Sequence, residues 1–151
     1  MESDIESFFL HNHSLQVSEI TTMSGSELKL IHFYDSDRNS IIQLVNQLKP
    51  NDTVLFVGHV IVDEIGRNTA ALTNQINVRL KDENDFPILQ EAIAPYDISK
   101  VRQSEVNNRR YVLTVNCVSG TRVLQIANEL HRTGLFEWAE VNLILFFGFG
   151  I

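Results

Sequence analysis

The feature that most constrains this chain is a hydrophobic period that keeps switching in its second half. Gln75–Lys81 alternates Ile76, Val78 and Leu80 with Asn77, Arg79 and Lys81, the period of a half-buried strand. Asp85 then offers a helix N-cap, and Pro87 suits a first helical turn. Ile88, Leu89, Ala92 and Ile93 follow at helical spacing, and Pro95 closes that segment. Ile98–Gln103 predicts a second strand and Asn107-Asn108 a turn. Tyr111, Leu113, Val115 and Cys117 alternate with Val112, Thr114 and Asn116 as a third strand. Ser119-Gly120-Thr121 opens a helix with Val123, Leu124, Ile126, Ala127 and Leu130 on its apolar face, and Gly134 stops it. Leu135–Leu145 is the last strand, with Phe136 and Trp138 expected on one face and Leu135 and Glu137 on the other. The order βαββαβ predicts an α+β fold of the ferredoxin-like, split βαβ kind: an antiparallel sheet with two helices on one face.

The first half is less sharply patterned. Residues 1–27 read as an N-terminal arm or a poorly packed strand. Leu28–Tyr34 predicts a strand, and Ser36, Asp37 and Asn39 offer helix N-caps. Ile41, Ile42, Leu44, Val45 and Leu48 form one helical face, ended by Pro50-Asn51-Asp52. Thr53–Val62 is rich in β-branched residues and predicts a strand. The expected organisation is an arm (1–27), a smaller β-α-β half-module (28–66) and a linker (67–74). The ferredoxin-like module (75–145) and an apolar C-terminal tail (146–151) complete it. Ile41–Leu48 also overlies Val123–Leu130 without gaps at an offset of 82 residues, either an internal repeat or two β-α-β units obeying one periodicity.

Composition narrows the function classes. A net charge of -7 and a pI near 5.1 argue against nucleic acid as a partner, and no run of Lys or Arg points to a basic patch. The single cysteine, Cys117, excludes an internal disulfide and a cysteine-based zinc cluster, and its place in the alternation predicts a buried, inert thiol. The acidic N-terminus lacks the basic flank and apolar run of a signal peptide, and no stretch approaches the ~20 apolar residues of a membrane helix.

Catalytic chemistry is hard to find. His11-Asn12-His13 sets two imidazoles on one side of an extended segment, but a third ligand is missing nearby. His32, His59 and His131 are isolated, and no carboxylate pair has a defensible spacing. Gly148-Phe149-Gly150 precedes no helix and so cannot cradle a phosphate. The expectation is a non-enzyme with neither metal nor cofactor.

Two stretches carry a resemblance. Leu72-Thr73-Asn74-Gln75-Ile76-Asn77-Val78-Arg79-Leu80-Lys81 resembles the "TNxIxVKLK" opening of pro-domains in subtilisin-like serine proteases, particularly those of Bacteroides-type bacteria. Leu124-Gln125-Ile126-Ala127-Asn128-Glu129-Leu130, followed by Thr133-Gly134-Leu135-Phe136-Glu137-Trp138-Ala139-Glu140, resembles their "LQLANxLYETGLFEFAEPN" segment. Val54–Val60 with Gly66 is similar to the "VxFVxxVxxxxxG" strand of a preceding half-module, so the resemblance spans roughly residues 40–144.

The resemblance implies a ferredoxin-like pro-domain whose sheet packs on a protease catalytic domain, templates its folding and inhibits it. The last strand would run into the active-site cleft as a substrate-like segment. By position, the implied protease-binding residues are Glu137, Trp138 and Glu140, with Asn142, Leu143, Ile144 and Leu145 as the cleft segment. A carboxylate among them could cap a helix N-terminus of the protease. The family is exported. Val141 replaces the motif's proline, and the family's catalytic Asp, His and Ser motifs are absent from this chain: Gly58-His59-Val60 and Ser119-Gly120-Thr121 are not equivalents. The expectation is therefore a gene fragment or a free-standing inhibitor that meets its protease in trans. The alternative is a ferredoxin-like interaction or self-association module without a protease partner, since this fold hosts many functions.

Overall fold

A single long strand, β4 (Asn68–Leu80), sets the architecture of the second half of the chain. The computed structural model describes residues 17–22, 29–33, 43, 56, 60–116 and 120–145. The chain divides into two compact units, residues 1–54 and 55–151. In the first unit, β1 (Val17–Thr22) and β2 (Lys29–Phe33) pair as an antiparallel two-stranded sheet. β1 lies within the expected arm, which there takes the strand alternative. The helix expected over 41–48 lies outside the described residues except Gln43, which is helical and exposed.

The second unit follows the predicted order. β4 is followed by α1 (Phe86–Ile93), β5 (Ile98–Gln103), β6 (Arg110–Val115), α2 (Gly120–Arg132) and β7 (Phe136–Leu145). β6 pairs antiparallel with both β4 and β5, while β7 pairs antiparallel with β4. Each βαβ unit is therefore split by a strand inserted between its parallel partners, giving the spatial order β7-β4-β6-β5. This is the α+β, ferredoxin-like arrangement.

One face of the sheet carries the core. Ile76, Val78, Leu80 and Leu113 are fully buried with Leu89 and Val123 from the two helices. Each such side chain contributes about 1.5–3 kcal/mol relative to exposure. α2 offers Val123, Ile126, Ala127 and Leu130 at i, i+3, i+4 and i+7. Leu124, expected on that face, is 41% exposed, because one residue turns the helix by about 100°. Phe86 stacks on Tyr111 with ring centroids 5.0 Å apart, and the Tyr96 hydroxyl donates to Glu129 Oε2 at 2.6 Å, tying the end of α1 to α2. That bond raises the Tyr96 pKa, with burial adding to it. Cys117 lies outside the described residues.

Two expectations are corrected. Residues 67–74, expected as a linker, are the end of a turn and the first half of β4, whose Asn68–Ala71 pairs with β3 (Val60–Val62). β3, expected in the half-module, therefore joins the second unit's sheet. Asp63 closes the turn: its Oδ1 accepts the Ile65 and Arg67 backbone N–H groups, and its Oδ2 lies 2.7 Å from Arg67 Nε. Gly66 takes the left-handed φ of 82° that such a turn requires. The bond from the Arg67 backbone holds Asp63 below its usual pKa, assisted by the Arg67 side chain. The turn's stabilisation is thus present above the ordinary carboxylate pKa and is lost as pH falls through the lowered value.

The second correction concerns Phe136 and Trp138. Leu80 pairs with Phe136 and Arg79 with Trp138, so two residues of β7 advance against one of β4. This bulge at Glu137 breaks the period of two. Phe136 turns into the core, whereas Trp138 lies with Arg79 on the face away from the helices.

Leu113→Ala should lower the unfolding free energy by about 2–5 kcal/mol in urea titrations, because Leu113 is wholly enclosed between sheet and helices.

Candidate functional site

The face of the sheet away from the helices collects most of the residues implied in binding. Its first row crosses the sheet as Arg110, Arg79 and Trp138; its second as Arg102, Val112, Asn77 and Glu140. Lys100, Thr114 and Gln75 form the third.

Glu137 sits in the bulge, where its carboxylate meets two guanidiniums. Its Oε2 lies 3.2 Å from Arg79 Nε and 3.4 Å from Arg109 Nη1. The first is an ion pair without hydrogen-bond geometry, and Arg79 Nε is buried with no hydrogen-bond partner. Arg109 also donates to the Lys81 carbonyl at 3.2 Å. Lys81 in turn donates to the carbonyl of Gly134, whose φ of 69° ends α2 and starts the approach to β7. The bulge is thus held from both sides. Trp138 is half-buried, with the Arg110 guanidinium 5.9 Å from its ring centroid, a cation-π contact.

Glu140 is exposed and has no ion pair or hydrogen-bonded side chain among the described residues. Asn142 belongs instead to a knot of polar side chains. Its Nδ2 donates to Gln75 Oε1 at 3.0 Å, its Oδ1 accepts from Asn77 Nδ2 at 3.3 Å, and its carbonyl accepts from Thr73 Oγ1 at 2.6 Å. The knot fills an irregularity where β4 advances four residues, Leu72 to Ile76, while β7 advances two, Leu143 to Val141. It explains how Asn77, only 5% exposed, is tolerated amid a sheet.

Leu143, Ile144 and Leu145 extend β7 past the core and pair with Leu72, Ala71 and Ala70. Leu143 and Leu145 are 40% and 52% exposed and lie on the helix side of the sheet, whereas Ile144 falls on the other side with Asn142. The implied cleft segment is therefore divided between two faces. Among the described residues β7 pairs with β4 alone, so its outer edge is unpaired there.

Sequence reasoning missed the cations. Arg79, Lys100, Arg102 and Arg110 come from three strands and converge on one face, so no run of Lys or Arg announces them. The available signal was their place in each strand's period of two. Among the described residues no three His, Cys, Asp or Glu side chains are grouped to hold a metal, and no helix is long and apolar enough to cross a membrane. No family model, curated protein or solved structure matches the chain.

Asn142→Ala should cost about 1–3 kcal/mol in urea unfolding, because it leaves the buried Asn77 amide without its acceptor. A cost near zero would mean that water satisfies Asn77 equally well.

Proposed function

We propose that the chain is a subtilisin-like protease pro-domain that chaperones the folding of a serine peptidase and inhibits it. The observation that carries this reading is the segment Leu124–Glu140, which resembles those pro-regions across helix, glycine stop and aromatic strand. Here that segment is α2, the left-handed Gly134 and the bulged start of β7. The chain binds and performs no hydrolysis itself.

The helix-free face packs on the catalytic domain. The outer edge of β7 offers main-chain groups to a protease strand, with side chains of residues 142–145 entering its pockets. Of the two acidic residues, Glu140 is the one available to cap a protease helix, because Glu137 is already shared by two guanidiniums.

Titrating the chain against a subtilisin-type protease should give slow, stoichiometric loss of activity. Deleting residues 143–151 should weaken inhibition at least about tenfold while circular dichroism stays unchanged, since the buried core ends at Val141. Equal inhibition by the shortened chain would remove the cleft role of residues 143–145. No inhibition by the folded full chain would remove the pro-domain reading.

A second reading, a self-associating module, is favoured by one observation: Ile61, Leu143 and Leu145 leave an exposed apolar strip on the extended end of the sheet. Sedimentation decides for it if the chain dimerises and the protease is not inhibited.

A further inference from the structure

We propose that the helix-free face of the sheet docks a carboxylate-rich protein surface. The argument is charge complementarity within an otherwise acidic chain. The net charge is -7, yet among the described residues the strand registers put Arg79, Lys100, Arg102 and Arg110 on one face with only Glu137 and Glu140 as acidic neighbours. Glu137 is divided between Arg79 and Arg109, so it does not neutralise the face. Lys100 and Arg102 are exposed and have no ion pair among the described residues. Acidic residues gather elsewhere in this unit, on the turn at Asp82-Glu83 and on the helices at Glu91 and Glu129.

The spacing suits side-chain carboxylates. Cations two residues apart on a strand stand about 7 Å apart, and those two strands apart about 10 Å. Carboxylates at i and i+4 of a helix are separated by about 6 Å, so an acidic helix lying along β5 meets Lys100, Arg102 and, one strand over, Arg110 with successive turns. Because the sheet fixes the backbone under each cation, docking has to order the side chains alone.

A protein surface fits better than nucleic acid. Single-stranded nucleic acid needs aromatic platforms for its bases. Among the described residues, Trp138 is the one aromatic side chain that the strand registers put on this face, and the Arg110 guanidinium lies over its ring. The inference does not depend on the protease reading, which would only specify whose acidic surface is bound.

Trp138 is the sole tryptophan, so its emission reports on this face. The probe is a synthetic amphipathic helical peptide with glutamates at i, i+4 spacing along one side. It should shift Trp138 emission saturably, and its Kd should rise at least about tenfold between about 50 and about 300 mM salt. The double variant Lys100→Glu/Arg102→Glu changes exposed residues on an edge strand. It should bind at least about tenfold more weakly with an unchanged circular dichroism spectrum. The proposal is overturned if the peptide leaves the emission unchanged, if the double variant binds it as well as the wild-type chain, or if an oligothymidylate of equal charge binds more tightly than the peptide.

Discussion

Burial of Ile76, Val78 and Leu80 beneath both helices is the interaction on which the second unit depends. These residues occupy alternate positions of one strand, so Asn77 and Arg79 are forced onto the opposite face. The same hydrophobic constraint that closes the core therefore builds a polar surface behind it. β4 also bears β6 and β3 along one edge and β7 along the other, which makes it the common partner for register. A one-residue slip would invert both faces at once.

The two irregularities between β4 and β7 are what make that surface specific. The bulge at Glu137 releases Trp138 from the core and sets it beside Arg79 and Arg110. The wider irregularity at Thr73–Gln75 is filled by hydrogen bonds to Asn142 rather than by packing. Each lies next to residues that the family resemblance implies in binding. Bulges commonly re-aim side chains, and here one re-aims Trp138 while the Glu137 carboxylate is anchored by two cations.

Much of the second unit was legible from residue pattern. The alternation of Ile76, Val78 and Leu80, the Pro87 start of α1 and the Gly134 stop of α2 each recur in the structure, whereas Asp85 holds the N-cap position but its carboxylate accepts from the Asp82 backbone N–H instead of capping the helix. What failed were inferences that need two strands at once. Phe136 and Trp138 are separated by a bulge visible only in the register with β4. Residues 67–74, the start of β4, carry no hairpin signal in the sequence because the β3–β4 turn is closed by Asp63 side-chain bonds, not by a two-residue glycine turn. The basic face was missed because its members are distant in sequence and adjacent only across the sheet.

We propose that the sheet face behind β4, not the helical face, is where this chain meets a partner. The most direct test is to map NMR shift changes in the labelled chain on adding a subtilisin-type catalytic domain. Changes are expected at Lys100, Arg102, Arg110, Trp138 and Glu140 and along the outer edge of β7, with α1 and the exposed side of α2 unaffected. Changes concentrated instead at Ile88, Leu124 and Glu129 would place the partner on the helices and contradict it.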